Sequence, residues 1–217
     1  AYRVANGGQT HACLFGLDRT TAPFVLFLDA DDALKPGAAS AIIERLDPHV
    51  AKLQYPLTRI DSDGAVIGGP FPQLTAYRLR EELARRVLRS GVYRTPPTSG
   101  NVFRRDLCGL IRGSVTDPSI DGLLPFAAPF FGDVVSLAEP LACYRIHGRN
   151  DSGLGRTPTA AILERDMARF RSRMELLAQL IGQSSFAGRI AEATGVFYYR
   201  ELEFWHAVAS GRRPRLS

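Results

Sequence analysis

Short apolar runs alternate with polar breaks along this chain, and the sharpest break follows Phe24-Val25-Leu26-Phe27-Leu28. Five consecutive apolar residues predict a strand buried on both faces. The run stops at Asp29-Ala30-Asp31-Asp32, which sets three carboxylates within four residues. Carboxylates are seldom buried without a partner, so this strand tip falls where α/β sheets hold ligands, at the carboxyl ends of their strands. Period-two alternation sends Asp29 and Asp31 into one cleft and turns Asp32 away. Spacing alone leaves two readings open. The pair is either a set of hard oxygen ligands for a divalent cation beside phosphate oxygens, or a helix cap with solvated loop neighbours.

The remaining pattern alternates helices and strands. Residues 9 to 19 predict a short helix after the Gly7-Gly8 turn, with His11 on its surface. Pro36 opens a helix through Leu46 with Ala41, Ile42, Ile43 and Leu46 as its apolar face, closed by Asp47-Pro48. Residues 50 to 58 and 65 to 68 predict strands, and Asp61-Ser62-Asp63-Gly64 between them is a hairpin signal. Pro70 and Pro72 mark a loop. Leu74 to Ser90 predicts an arginine-rich amphipathic helix closed by Gly91. Thr95 to Asn101 is a loop that feeds a strand at Val102-Phe103 and a helix from about Arg105. Asp121 stands as an N-cap before the apolar helix Leu123 to Phe131. Val134 to Leu137 and Leu141 to Ile146 predict strands, with His147 at the end of the second.

Beyond Thr157-Pro158 the period becomes helical, predicting helices to Ile181 and from Phe186 to Ser210. The second carries Phe197, Tyr198, Phe204 and Trp205, a stripe suited to packing on the first domain or on a second copy. The division expected is an α/β domain over residues 1–152 and a helical extension over 153–217, with a homo-oligomer formed through the C-terminal helices as one use of that stripe.

Composition narrows this only a little. The 217 residues are 45% apolar and 23% charged, with a formal charge of +5, an ordinary globular balance. Lys35 and Lys52 are the only lysines, so the basic side chains are nearly all arginine, whose fork suits phosphate. No basic run approaches a nucleic-acid tail, which argues against nucleic acid as a partner. No apolar stretch reaches about 18 residues and no signal peptide is present, so a soluble cytoplasmic chain is expected. Its arginine-rich helix could touch anionic lipid, as a peripheral contact on the inner face of the membrane. Cys13, Cys108 and Cys143 are widely spaced and read as reduced core residues.

Several segments resemble one family. Asn6-Gly7-Gly8-Gln9-Thr10-His11-Ala12, then Phe27-Leu28-Asp29-Ala30-Asp31-Asp32, then Pro36-Gly37-Ala38 resemble the middle of inverting family-2 glycosyltransferases of the GT-A fold. Those enzymes carry an N-x-G-x-x-x-A helix, a strand ending in D-x-D and a helix opening with Pro-Gly. Thr98-Ser99-Gly100-Asn101-Val102-Phe103-Arg104-Arg105 resembles their acceptor-side segment. Asp121 stands where they have an E-D pair, and Tyr144-Arg145-Ile146-His147-Gly148 resembles their closing Y-R-x-H segment. The resemblance spans roughly residues 1 to 152. It implies a GT-A-like, Rossmann-related mixed sheet flanked by helices, with a C-terminal helical tail.

The same resemblance implies a chemistry. A UDP- or GDP-sugar would be the donor and a saccharide or glycolipid hydroxyl the acceptor, in the setting of polysaccharide or glycolipid assembly. Asn6, Gly8, Asp29, Ala30, Asp31, Arg145 and His147 would face the donor, and Ser99, Gly100 and Asn101 the acceptor. Asp31, Asp29 and His147 would hold Mn²⁺ or Mg²⁺, and Asp121 would act as catalytic base. Read without the family, Gly100 either allows close backbone approach to a sugar or belongs to an ordinary polar turn, as does Asn101. The departures are Cys13-Leu14 in place of Arg-Asn and Ile120 in place of Glu. The βαβ unit that relatives place first, with its V-I-x-P and D-D-G segments, has no counterpart, so a fragment of a longer gene product is expected, with a reduced variant as the alternative. A non-catalytic subunit of the same fold and a nucleotidyltransferase are the alternative readings.

Overall fold

The computed structural model describes residues 2–113, 122–147, 150, 157–182 and 190–214. In chain order the elements are α1 (Gly8–Leu17), β1 (Phe24–Leu26), β2 (Ala33–Leu34), α2 (Ala38–Ile43), β3 (Val50–Gln54), β4 (Leu57–Ile60), β5 (Val66–Phe71) and β6 (Tyr77–Leu79). They continue with α3 (Glu81–Ser90), β7 (Asn101–Arg104), α4 (Arg105–Cys108), α5 (Leu124–Phe131), β8 (Asp133–Ser136), β9 (Ala142–Arg145), α6 (Ala160–Ile181) and α7 (Phe197–Ala209). Two mixed sheets result, ordered β1-β7-β3-β8-β6 and β2-β9-β4-β5.

Strand β3 lies at the centre of the larger sheet, antiparallel to β7 and parallel to β8, and all five of its residues are buried. Its two polar side chains, Lys52 and Gln54, share one face by the two-residue strand period. Both are satisfied internally. Lys52 Nζ donates to Gln54 Oε1 at 2.8 Å, Thr95 Oγ1 at 2.6 Å and Tyr93 Oη at 3.2 Å. Gln54 Nε2 donates to Tyr77 Oη at 2.9 Å.

One strand had been expected over residues 50 to 58, but the chain leaves the large sheet after Gln54 and enters the small one at Leu57. Pro56 sits at the crossing, where its missing N–H cannot serve a ladder. The hairpin at Asp61–Gly64 forms as expected: Asp61 Oδ1 accepts from the Asp63 and Ala65 amides, and Gly64 takes a φ of 92°. Pro70 lies within β5 rather than in a loop. An edge strand tolerates proline because its outer N–H has no partner to lose.

The long helix expected from Leu74 is also divided. Tyr77, Arg78 and Leu79 pair with Ser136, Val135 and Val134 of β8 as the last strand of the sheet, and the helix begins at Glu81. Alternating burial against β8 overrides helical propensity over these three residues. Arg78 is fixed there by Asp47 at 2.6 Å and Asp133 at 2.7 Å. Strand β1 is only half-buried on all three residues, not buried on both faces, because it pairs with β7 alone and forms the sheet edge.

Helices cover the sheets. α2 packs Ala38 and Ile42 on Val50, Leu53, Val102 and Leu141. α5 is apolar on every side and almost wholly buried, as a central helix must be. Leu177 and Ile181 of α6 share one core cluster with Leu83 and Val87 of α3 and Phe126 of α5. α6 starts later than expected, capped by Thr159, whose hydroxyl accepts from the Ile162 amide. α7 starts at Phe197 rather than Phe186; residues 183–189 lie outside the described set. Its Tyr199 is buried with Phe170 and Met174, while Phe197 and Trp205 face outward. Among the described residues no helix is long and apolar enough to cross a membrane.

Candidate functional site

Two antiparallel registers assemble the carboxylate cluster. β1 opposes β7 with Phe24 across from Arg104 and Leu26 across from Val102. Continued past the strand end, that register brings Asp29 level with Ser99. The Asp29 amide indeed donates to Ser99 Oγ at 3.0 Å. β2 opposes β9 with Ala33 across from Cys143, and the same continuation sets Asp31 beside Arg145. The four residues from Asp29 to Asp32 turn between these two pairings, closed by the Asp32 amide on the Asp29 carbonyl at 3.1 Å.

Each carboxylate meets a different partner. Asp29 Oδ1 accepts from Gln9 Nε2 of α1 at 2.7 Å. Asp31 Oδ2 lies 2.8 Å from His147 Nε2, and both side chains are partly open to solvent. Asp32 Oδ1 accepts from the Arg145 amide at 2.9 Å, while its Oδ2 is buried and has no hydrogen-bond partner among the described residues. Burial pushes the Asp29 carboxyl above the usual range, opposed by the Gln9 hydrogen bond and reinforced by the Asp31 charge. Burial likewise raises Asp32, opposed by the nearby Ser99 hydroxyl and the Arg145 amide.

Arg145 acts as a bracket. Its Nε donates to the Asp31 carbonyl, and its Nη1 donates to the Asp61 and Ser62 carbonyls, all at 2.9 Å. The guanidinium thus ties the carboxylate turn to the β4–β5 hairpin. Asn150 holds the next segment: its Oδ1 accepts from the His147 amide at 2.6 Å, and its Nδ2 donates to the Arg145 carbonyl at 2.8 Å.

The residues expected to face an acceptor are turned inward. Ser99 and Asn101 are both fully buried. Asn101 Nδ2 donates to the Pro96 and Pro97 carbonyls at 3.0 and 2.8 Å, and Oδ1 accepts from Thr95 Oγ1 at 3.2 Å, so the amide staples its own loop. A side chain on Gly100 would fall 2.6 Å from Pro96 and 2.8 Å from the Tyr55 carbonyl. Pro96 and the Tyr55 carbonyl are therefore close approaches that call for glycine here. These three residues back the carboxylate turn.

On the other flank Asn6 and Gly8 are exposed. Asn6 Oδ1 accepts from the Gly8 amide at 3.1 Å, and Gly8 takes a φ of 84° to start α1. Ala30 is exposed at the tip of the turn. Cys13 and Leu14 pack toward Phe27, Phe103 and Leu17, which accounts for apolar residues at those positions. Asp121 and Gly148 lie outside the described residues. Gln9 and Thr98, which lie in the segments that carry the resemblance, and Asn150 join the site although none was singled out as a site residue. Gln9 meets Asp29 across 20 residues and Thr98 across 89, separations no local pattern reports.

No group of three or more His, Cys, Asp or Glu side chains among the described residues forms a ready metal cluster. A hard cation that keeps water or phosphate oxygens needs only one or two protein ligands. Asp31 with His147, two adjoining side chains partly open to solvent, fits such a cation.

The chain is similar to known proteins over most of its length. Residues 2–107 match the family model described as glycosyl transferase family 2. The chain is 31% identical over 207 residues to the uncharacterized glycosyltransferase alr2836 of Nostoc sp., covering 92% of this chain and 61% of that protein. In fold it is similar to S. aureus TarS 1-349, solved in complex with UDP-GlcNAc, with a TM-score of 0.51 and 16% identity over 93% of this chain and 54% of that one. It thus spans about half to three fifths of these relatives. The shared architecture is a GT-A-like mixed α/β fold with helices at its C-terminal end. By sequence, residues 2–107 match the glycosyl transferase family 2 model, and the likeness to TarS over most of the chain is one of fold.

Proposed function

We propose that this domain transfers a sugar from a nucleotide-sugar donor to an acceptor hydroxyl with inversion, its donor diphosphate held at the Asp31–His147 pair through Mn²⁺ or Mg²⁺. The observation that carries the reading is the 2.8 Å contact of Asp31 Oδ2 with His147 Nε2, solvent-accessible at the tip of the edge strand. A carboxylate and an imidazole meeting there suit a divalent cation and phosphate oxygens better than they suit a structural role. When bound, the cation supplies Lewis-acid stabilisation of the charge that builds on the leaving diphosphate.

The chain's own residues supply the rest. Gln9 and Ser99 fix the Asp29 side chain and amide, so the carboxylate turn is set before the donor arrives. Arg145 holds the turn to the hairpin through three carbonyls. Asp121 is the group we assign as base. It takes the acceptor proton while the hydroxyl oxygen bonds to the anomeric carbon and the bond to the diphosphate breaks on the opposite face. A saccharide or glycolipid is the acceptor class. UDP is the first nucleotide to try, since TarS was solved with UDP-GlcNAc.

Calorimetric titration of UDP and GDP, with and without Mn²⁺, into the chain and into Asp31→Asn tests the reading. Manganese-dependent binding by the parent that disappears in the variant is expected. Binding equally tight in both, or insensitive to Mn²⁺, would overturn it.

A further inference from the structure

A cavity of about 1030 Å³ lies apart from the carboxylate turn, between β6, α3, the 92–95 segment and the helices α6 and α7. It is just above the roughly 300–1,000 Å³ usual for small-molecule sites. Three arginines line it, Arg86, Arg94 and Arg173, against one acid, Glu82. Arg86 and Arg94 are exposed side chains on its rim, and Arg94 Nη1 donates to the Gln73 carbonyl at 3.3 Å. Arg173 is held rigidly between two rings, its guanidinium carbon 4.4 Å from the Phe126 centroid and 4.6 Å from that of Phe170. Stacking of this kind fixes the fork's direction in advance, so less freedom is lost on binding an anion.

The aromatic walls add a second requirement. Tyr77 and Tyr198 both line the cavity, the first half-buried and the second 38% exposed. Rings with a polar tip beside an excess of guanidinium groups match a ligand that has an apolar face, several hydroxyls and a negative charge. Phosphate presented on a sugar meets all three conditions.

The cavity also reaches the carboxylate turn through buried polar groups. Tyr77 Oη accepts from Gln54, Gln54 from Lys52, and Lys52 also donates to Thr95, which lines the cavity and bonds to Asn101. Two residues before Asn101, Ser99 holds the Asp29 amide. One rigid segment, Thr95 to Asn101, is thus a wall of the cavity at one end and the support of the carboxylates at the other.

We propose that this cavity is a second binding site, which takes a phosphate-bearing saccharide, with Arg86, Arg94 and Arg173 on the phosphate and the Tyr77 and Tyr198 rings against the sugar. It stands whether or not the carboxylate site transfers a sugar. The test uses glucose 1-phosphate, inorganic phosphate, glucose and octyl phosphate as probes, titrated calorimetrically without divalent cation or nucleotide. The proteins are the parent chain, the Arg86→Gln/Arg94→Gln double variant and Asp31→Asn. Both arginines are exposed, so the double variant should melt as the parent does, and its melting curve is the control.

Glucose 1-phosphate should bind tightest of the four, weaken at least tenfold in the double variant and be unchanged in Asp31→Asn. Binding unaffected by the double substitution, or lost in Asp31→Asn, would overturn the site. Octyl phosphate or inorganic phosphate binding as tightly as the sugar phosphate would overturn the saccharide. Failure of every probe to bind the parent chain would overturn the whole proposal.

Discussion

Asp31 and His147 stand 2.8 Å apart although 116 residues separate them. Two short strands bring this about: Ala33 lies opposite Cys143 and Leu34 opposite Ala142, so residues just before β2 meet residues just after β9. The D-x-D strand tip and the closing Y-R-x-H segment are therefore two sides of one site.

The proposed ligand pair, Asp31 and His147, predicts a metal preference. Imidazole is a softer donor than carboxylate and suits transition metals more than Mg²⁺. UDP should accordingly bind more tightly with Mn²⁺ than with Mg²⁺. His147→Ala should lower the affinity in Mn²⁺ by about tenfold or more, about 1.4 kcal/mol, and alter that in Mg²⁺ far less. Parallel calorimetric titrations with the two metals measure the difference, and equal losses in both would remove His147 from the ligand set.

Asp32 predicts a pH dependence. Its carboxyl is raised above 3.8 in the folded chain, chiefly by burial. A raised carboxyl favours the folded state below its unfolded value and loses that contribution as pH climbs through the folded one. Ionised Asp32 therefore weakens the fold at neutral pH. Asp32→Asn keeps an oxygen for the Arg145 amide and removes the charge, so it should raise the melting temperature at pH 7. The gain should shrink as pH falls toward 4, and a gain constant across that range would show a cause other than ionisation.

Arg145→Lys should loosen the site despite keeping the charge. The guanidinium serves the carbonyls of Asp31, Asp61 and Ser62 together, in a fork geometry that an ammonium cannot reproduce. We expect a stability loss of about 2 kcal/mol from the broken charged hydrogen bonds. Amide exchange should quicken around Asp61–Gly64, where the bracket is attached. Unchanged exchange in that hairpin would show that the bracket carries no strain-bearing role.

Gly91 links the helical tail to the α/β core. It closes α3 with a φ of 70°, and a methyl group there would run into Met174 and Phe170 of α6. Left-handed backbone costs a residue with a Cβ about 1–2 kcal/mol, and the overlap adds about 1–3 kcal/mol. Gly91→Ala should lower the denaturant midpoint accordingly, and a midpoint unmoved from the parent's would show that α6 does not rest on this turn.

Much was legible in the chain itself. The run from Phe24 to Leu28 marked a strand, Gly91 marked a helix end, and Asp61–Gly64 marked a hairpin, because each rests on local backbone preference or on hydrophobic period. The carboxylates at positions 29, 31 and 32 were visible as a cluster too polar for the interior, as was His147 at a strand end. Order along the chain related the D-x-D segment to the family whose model residues 2–107 match.

What only tertiary structure decided concerns partners far apart in sequence. Tyr77 to Leu79 follow a helical period yet become a strand, because β8 offers an open edge whose hydrogen bonds and packing outweigh a weak propensity. Ser99 and Asn101 carry polar groups that could face a ligand equally well, but the Asp29 amide claims the Ser99 hydroxyl and the loop's own carbonyls claim the Asn101 amide. Lys52 lies inside the sheet because Gln54, Tyr93 and Thr95 converge on it there. Propensity and pattern act over a few residues and are written in the sequence. Which donor meets which acceptor across 20, 89 or 116 residues is settled only when the strands choose their register.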